Sequence, residues 1–194
     1  MGYFSWLDEN SDITAILWRN HKRFRSLSVF TQNVLRGSGE MSIADREFLA
    51  AFVSGLNACS FCHGSHKAVA AVYGVDEELL ERTINDLESS QISDKLLPIF
   101  LMARKLTREP STVLLSDIDA IRDAGWSEDA IHDAIVICAL FNFYNRLLDG
   151  HGIKGSPAKS AKGAQVLPKF GYKTPWIARF FLKGGIKKKQ RDAG

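Results

Sequence analysis

Helical periodicity runs through almost every long segment of this chain, and no segment alternates polar and apolar residues as a strand does. We therefore predict an all-α fold with short connections, in which glycine and proline residues mark the helix ends. The predicted helices cover residues 12–35, 43–56, 57–74, 76–88, 94–107, 112–124 and 128–149.

Polar residues at three predicted helix starts are typical N-caps, whose side chains accept hydrogen bonds from free backbone N–H groups. Asp12 is expected to cap the first helix, and Ser42 with Asp45 three residues later resembles a capping box. Asn57 is expected to cap the third helix. That cap would place Cys59 in the first helical turn.

Length and composition indicate one domain, or two small and closely packed halves. The chain has 194 residues, 45% of them hydrophobic and 24% charged, which is ordinary for a globular protein. The net charge of +3 gives little reason to expect a nucleic-acid partner.

The most apolar run, residues 134–144, is too short to span a bilayer, and the N-terminus lacks the features of a leader. We expect a cytoplasmic protein with no membrane partner.

The composition changes to lysine, glycine and serine after residue 156. We divide the chain into a helical domain, 1–156, and a basic C-terminal tail, 157–194, that takes part in oligomer contacts. The tail leaves room for a short helix around residues 175–182. Within the domain, a shift of 85 residues places 42–66 on 127–151 with three identities. This similarity indicates a degenerate duplication, although chance explains so few identities equally well.

The thiols are concentrated in one short segment, Cys59-Ser60-Phe61-Cys62-His63. Residues three apart are neighbours on a helix surface, so Cys59 and Cys62 could form a disulfide. His66 lies four residues after Cys62 on the same face and could accept a thiol proton. The helix start favours Cys59 as the low-pKa thiol, whereas the proximity of His66 favours Cys62. The sequence leaves this choice open.

Three other residues, Glu47, His63 and Cys138, lie near these thiols in sequence or carry a further thiol. Glu47 is either a solvated acid in a first helical turn or, if a helical hairpin folds back, a buried acid with a raised pKa that relays protons to His66. His63, four residues after Cys59, could contribute to the same chemistry. Cys138 lies in an apolar run and is expected to be an inert core residue.

A close cysteine pair in a reducing compartment is more often catalytic or metal-binding than structural. The string Cys59-x-x-Cys62-His63 satisfies the pattern for covalent haem attachment, but that chemistry normally requires export. A structural zinc site needs four donors, and the chain has no second cluster of cysteine and histidine. We therefore predict neither a metal nor a cofactor, and favour a dithiol redox centre.

The order Glu47, Cys59-x-x-Cys62, His66 resembles the motif of the AhpD-like alkylhydroperoxidases, a group within the carboxymuconolactone decarboxylase superfamily. Residues 54–62 look like the segment S-x-x-N-x-C-x-Y/F-C of its peroxidase-related branch, and residues 139–147 resemble the second conserved helix of that branch. The resemblance runs from about residue 20 to 155.

This resemblance implies an all-α bundle with an antiparallel helical-hairpin core, assembled as a homo-oligomer, commonly a trimer or hexamer. It also implies peroxide reduction by the cysteine pair, with Glu47, Cys59, Cys62 and His66 as the catalytic set and an external dithiol, of unknown identity, as reductant. The founding members place a histidine directly before the second cysteine. Here Phe61 occupies that position, so neither their full proton relay nor their partner proteins should be assumed.

Two other functions remain open. A dithiol relay or sensor would use the same cysteines with little peroxidase activity. A lyase or hydrolase of the decarboxylase branch would not need them, so the presence of both argues against it. For a peroxidase, we expect the substrate to lie among Phe52, Phe61 and Tyr144. The chain carries more aromatic and apolar surface than one small helical bundle can bury, which favours a homo-oligomer. The residues concerned are Trp18, Phe30, Val34, Trp126 and Trp176.

Overall fold

The computed structural model describes residues 2–172, and within this range the chain is helical and contains no strand. The predicted all-α fold is confirmed. The helices are α1 (Ile13–Arg19), α2 (His21–Arg36), α3 (Ile43–Leu56), α4 (Ser60–Val72), α5 (Glu77–Asn85), α6 (Leu97–Arg108), α7 (Leu115–Asp123), α8 (Glu128–Gly150) and α9 (Pro157–Phe170), with a short 3₁₀ turn at Pro110–Thr112.

Helix α3 lies at the centre of the molecule and packs against α2, α4, α5, α6 and α8. Phe48 and Phe52 are buried against Phe100 of α6, with ring centroids 4.7 and 4.9 Å apart. Full burial of a phenylalanine stabilises a fold by about 1.5–3 kcal/mol. These contacts fix α3 firmly, and with it every functional side chain that it carries.

An antiparallel hairpin of α3 and α4 forms the core element that positions the cysteines. The capping box predicted for Ser42 and Asp45 is present at the start of α3. Asn57, however, ends α3 instead of starting α4, and Cys59 itself is the N-cap of α4. Ala58 adopts a φ of 54° between the two helices, a left-handed conformation that is uncommon for a residue with a Cβ. The expected N-cap at Asn57 is therefore wrong.

The side-chain amide of Asn57 does not cap a helix but forms hydrogen bonds to α8. Its Nδ2 donates hydrogen bonds to the side-chain oxygens of Asn142 and Asn145 on α8, at 3.1 and 2.9 Å, and Asn145 in turn donates to Ser54. Buried polar groups need such partners. This polar ladder fastens the end of α3 to α8. Residues 128–150 form one uninterrupted helix, whereas 42–66 form two, and the duplication stays a prediction.

Helix α9 lies across α4 and was not predicted from the sequence. Small residues allow the two helices to approach closely, because the Cα of Gly64 faces Ser160 and that of Gly163 faces Ser65. Residues 157–170 of the predicted basic tail therefore form a helix that packs on α4. The short helix considered around residues 175–182 lies outside the described residues.

The N-terminal helical segment also differs from its prediction. Asp12 caps α1 as expected, accepting a hydrogen bond from the N–H of Thr14 at 2.8 Å. The predicted helix 12–35 is interrupted at Asn20, where φ is −132° and ψ is 60°, so it becomes α1 and α2. Of the helices within residues 2–172, none is both long and apolar enough to cross a membrane.

Candidate active site

Both cysteines of the predicted pair lie at the buried start of α4. Cys59 has no exposed surface and Cys62 is 4% exposed. The two thiols are free and hydrogen bonded to each other. The hydrogen bond from Cys62 lowers the pKa of the Cys59 thiol, while the same bond and burial raise the pKa of Cys62 well above its usual value. Cys59 is therefore the thiol of the pair that ionises more readily.

Helix α8 supplies the polar groups on the far side of the pair. The Asn145 side chain hydrogen bonds to Cys62 and acts to lower its pKa. The carboxylate of Asp149, one turn further along α8, acts to raise the pKa of both thiols. The polar ladder that secures Asn57 thus reaches the sulfur atoms through Asn145, and it links the turn between α3 and α4 to the thiol chemistry.

Glu47 and His66 meet across the hairpin. His66 Nδ1 lies 2.6 Å from Glu47 Oε2, and the His66 and Glu47 side chains are 9% and 0% exposed. The alternative of a solvated first-turn acid is therefore wrong. So is the expected raised pKa: burial favours the neutral acid, but His66, Arg36 and Tyr172 outweigh it, and the pKa of Glu47 is lowered.

Two residues that the sequence analysis did not single out complete this network. Arg36 Nη1 lies 2.6 Å from Glu47 Oε1, and the Tyr172 hydroxyl donates a 2.7 Å hydrogen bond to the same oxygen. The Tyr172 ring stacks on His66, with centroids 6.1 Å apart and an interplanar angle of 13°. The guanidinium carbon of Arg36 lies over the Tyr172 ring, 5.0 Å from its centroid.

A cavity of about 730 Å³ opens beside Cys62 and His66. Its floor is largely aromatic, and α1 and α9 form its outer walls. The Tyr144 hydroxyl in this floor lies 2.7 Å from Thr31 Oγ1, and burial raises the pKa of Tyr144 to about 12. Cys59 does not border the cavity. The floor residues include Thr31, Phe61, Phe141 and Tyr144.

Other predicted site residues lie elsewhere. His63 turns away from the cysteines, with Nδ1 3.1 Å from the carbonyl oxygen of Ala51 and Nε2 3.7 Å from Glu81. Phe52 is buried in the core and does not border the cavity, in contrast to the expectation from sequence. Cys138 is a buried core residue, as predicted.

The donor atoms of this site are arranged for proton transfer and sulfur chemistry. Within residues 2–172, no group of three or more histidine, cysteine, aspartate or glutamate side chains is placed to hold a metal ion. The imidazole of His66 is anchored through Nδ1, so Nε2 is the ring nitrogen left for the cavity. Cys62 and His66 thus both border the cavity, and the Glu47 carboxylate lies behind His66.

Neither a protein-family model nor a curated protein matches the amino-acid sequence. Solved structures do match the fold. An uncharacterized peroxidase-related protein from Silicibacter sp. TM1040 has a TM-score of 0.71 at 20% identity, with 76% of this chain and 78% of that chain covered. The chain has the AhpD-like helical fold.

Two further solved structures share this AhpD-like fold. One, from Ralstonia eutropha JMP134, is described as an alkylhydroperoxidase AhpD core and an uncharacterized peroxidase-related protein; its TM-score is 0.71 at 19% identity, covering 78% of this chain and 80% of that chain. The other, from Agrobacterium tumefaciens, is a protein of unknown function assigned provisionally to antioxidant defence as AhpD. Its TM-score is 0.61 at 17% identity, with 73% and 95% coverage.

Proposed function

We propose that this protein is a thiol-dependent peroxidase that reduces hydroperoxides with the Cys59 and Cys62 pair. The observation that carries this proposal is the placement of Cys62 and His66 on one cavity, with Cys59 hydrogen bonded behind Cys62 and Glu47 anchoring His66. The AhpD-like fold and the peroxidase-related descriptions of its structural neighbours support the same class of activity.

Access and acidity favour different cysteines as the attacking thiol. The lowered pKa favours Cys59, but only Cys62 borders the cavity. We give more weight to access, because the peroxide oxygen must come into contact with the sulfur that it oxidises. Cys62 is therefore assigned as the peroxidatic residue, and its raised pKa requires a base. His66, one helical turn further along α4, provides one.

The proposed catalytic cycle has three steps: oxidation of Cys62, formation of the disulfide and reduction of the disulfide. His66 Nε2 takes the proton of the Cys62 thiol, and the sulfur bonds to the terminal oxygen of the hydroperoxide while the O–O bond breaks. Cys62 becomes a sulfenic acid, and the alcohol leaves with the proton from His66. The Cys59 sulfur then attacks Cys62, forming the disulfide and releasing hydroxide, which leaves as water with the Cys59 proton. An external dithiol reduces the disulfide by thiol exchange.

The size and lining of the cavity favour an organic hydroperoxide over hydrogen peroxide. A volume of about 730 Å³ lies in the range of sites for drug-sized ligands and far exceeds the needs of a molecule of four atoms. Phe61, Phe141 and Tyr144 offer an apolar floor. The lining contains two acidic residues, Glu9 and Asp12, and two lysines, Lys159 and Lys162. Their charges balance, so the cavity suits an uncharged, apolar substituent.

Peroxide consumption with dithiothreitol as reductant tests this function. We expect cumene hydroperoxide to be reduced with a higher kcat/KM than hydrogen peroxide. Cys62→Ser should abolish turnover. Without dithiothreitol, Cys59→Ser should consume one peroxide per chain and leave a sulfenic acid on Cys62, which dimedone labelling and mass spectrometry would locate.

Cys138→Ser is the matched control, because Cys138 is buried but hydrogen bonded to Thr107 away from the site. It should retain the wild-type rate. Unchanged peroxide consumption in both Cys59→Ser and Cys62→Ser would refute the peroxidase. Oxidation of the pair without catalytic peroxide consumption would instead favour a dithiol relay or sensor.

A further inference from the structure

We propose that Tyr172 is a positioning residue of this site, whose hydroxyl fixes the Glu47 carboxylate and, through it, the orientation of His66. The inference deepens the proposed peroxidase function, and its kinetic test rests on that function. No sequence motif marks Tyr172, which lies 125 residues from Glu47 along the chain.

The hydrogen bonds of the two Glu47 oxygens show why a further donor matters. Oε2 accepts from His66, while Oε1 contacts Arg36 Nη1 and accepts from the Tyr172 hydroxyl. Arg36 approaches through a single nitrogen, and its Nε and Nη2 have no hydrogen-bond partner among the described residues. A contact through one nitrogen lacks the geometric restraint of a two-pronged guanidinium pair. The Tyr172 hydroxyl supplies the missing restraint.

Protonation states agree with this role. Burial and the neighbouring Glu47 raise the pKa of Tyr172 well above its usual value, so its hydroxyl keeps its proton and donates. The lowered pKa of Glu47 keeps its carboxylate charged and therefore able only to accept. His66 Nδ1 must then carry a hydrogen, which leaves Nε2 free for the Cys62 thiol. The same logic orients the histidine of serine-protease triads.

The backbone conformation at the end of α9 positions Tyr172 beside Glu47 and His66. Gly171 ends α9 with a φ of 62°, a left-handed conformation that glycine adopts without cost. The N–H of Tyr172 then donates a 2.7 Å hydrogen bond to Gln32 Oε1 on α2. With its backbone held by α2 and its ring stacked on His66, the hydroxyl points at Glu47. Helix α9 thus forms a cavity wall and also carries Tyr172 to the proton relay.

A double-mutant cycle measures whether Tyr172 acts through Glu47. Tyr172→Phe keeps the ring and removes only the hydroxyl. We expect kcat/KM to fall about tenfold, which is less than the roughly 100-fold or greater loss expected when a general base itself is removed. Added to Glu47→Gln, the same change should have a smaller effect, because the amide oxygen accepts a weaker hydrogen bond than the charged carboxylate and only the 3.4 Å contact of the hydroxyl with His66 Nδ1 is otherwise lost. A role limited to ring packing predicts no loss for Tyr172→Phe in either background.

Tyr73→Phe is the matched control. The Tyr73 ring also lies over Arg36, 5.4 Å from the guanidinium carbon, but its hydroxyl has no bond to Glu47. Loss of the Tyr73 hydroxyl should leave kcat/KM unchanged. An equal loss in both tyrosine variants would overturn the proposal, since it would trace the effect to Arg36 and the general packing around it.

The pH profile gives a second readout. Burial raises the pKa of Glu47, whereas His66 on α4, Arg36 on α2 and Tyr172 after α9 lower it. Removing the Tyr172 hydroxyl raises the pKa of Glu47, so the decline in kcat/KM on the acid side should begin at a higher pH in Tyr172→Phe. A uniform loss at every pH, with the acid limb in place, contradicts the proposal.

A measurement that needs no turnover separates this inference from the proposed function. Long-range ¹H–¹⁵N NMR spectra of histidine-labelled protein distinguish the two imidazole tautomers. We expect the Nδ1–H form of His66 in the wild type and in Tyr73→Phe, and a mixture of tautomers in Tyr172→Phe. An unchanged His66 tautomer in Tyr172→Phe refutes the positioning role. Absence of peroxide consumption in the wild type would refute only the peroxidase.

Discussion

A carboxylate with no exposed surface keeps its charge at the centre of this molecule. Isolated burial would neutralise Glu47, because transfer of a charge from water into protein is costly. Three groups offset that cost: the guanidinium of Arg36, the imidazole of His66 and the hydroxyl of Tyr172. At the residue scale, Glu47 therefore acts as a fixed anion that orients an imidazole, which differs from the neutral proton carrier expected from sequence.

The charge on Glu47 makes a testable contribution to stability. Its pKa is lowered in the folded state from the ordinary value of 4.5, so this contribution is fully present above pH 4.5 and is lost as the pH falls through the folded-state value. We expect the free energy of unfolding in urea to decline below about pH 4.5. In Glu47→Gln this part of the decline should disappear, even though the variant is less stable at neutral pH because Arg36 is left without its partner.

Glu109→Gln provides the comparison for this experiment, since Glu109 is exposed at the end of α6. Its unfolding free energy should follow the wild-type pH dependence. If Glu47→Gln retains the full acid decline, the charge on Glu47 is not the source of it, and the account of the buried network is wrong.

The residues of the site were unequally predictable. Helical spacing places Cys59, Cys62 and His66 on one face, but it leaves Glu47 open between a solvated acid and a partner of His66. Arg36 and Tyr172 reach the same carboxylate from helices whose packing angles the sequence does not specify. The lowered pKa of Glu47 depends on these two distant residues. A local pattern could therefore locate the acid but not its charge.

At the scale of elements, the loop between α8 and α9 holds the cysteine helix in place. The N–H of Gly155 donates a 3.0 Å hydrogen bond to Ser60 Oγ in the first turn of α4. A Cβ added to Gly155 would overlap the backbone of Ser60 and Phe61. Because these are backbone atoms, neither the loop nor the helix start can yield by a simple side-chain rotation.

Substitution at Gly155 should therefore disturb both stability and activity. We expect Gly155→Ala to destabilise the protein by about 1–3 kcal/mol, the usual cost of overpacking, and to lower the peroxide reduction rate by shifting the start of α4. Urea unfolding and steady-state assays would measure the two effects.

Gly150→Ala, five residues earlier, is the control, since nothing lies within 4 Å of the added Cβ. It should stabilise the protein by roughly 0.5 kcal/mol through better helix propensity. If Gly155→Ala behaves like Gly150→Ala, the close contact between the loop and α4 is not important.

Helix periodicity predicted the existence of most elements, and packing decided their ends. Asparagine is a favoured N-cap residue, but the Asn57 side-chain amide donates its hydrogen bonds to Asn142 and Asn145. Helix α4 therefore begins later, with Cys59 at its N-cap position. Helix α9 was missed because lysine, glycine and serine resemble a solvated tail. In the fold, the close-packing position between α4 and α9 is Gly64, where an added Cβ would overlap Ser160 of α9. Both differences arise from contacts between elements distant in sequence.

At the scale of the whole molecule, apolar side chains remain on the surface. Trp126, one of the residues cited for oligomer formation, is buried within the chain, and its indole N–H donates to the Lys95 carbonyl. Phe30 and Phe143 remain 47% and 44% exposed. They belong to α2 and α8, which pack together. Single exposed apolar residues are ordinary, but these two are the described phenylalanines that an interface formed by α2 and α8 could cover.

The homo-oligomer stays a prediction, and these two phenylalanines make it specific. We expect light scattering after size-exclusion chromatography to give a mass three or six times 21.6 kDa. Phe30→Lys and Phe143→Lys should each shift the mass towards 21.6 kDa, because a lysine in an apolar interface leaves a buried charge without a partner. Leu115→Lys on α7, where the leucine is 69% exposed, should leave the mass unchanged. A wild-type mass of 21.6 kDa would exclude the oligomer. The cavity would then be lined by residues of a single chain.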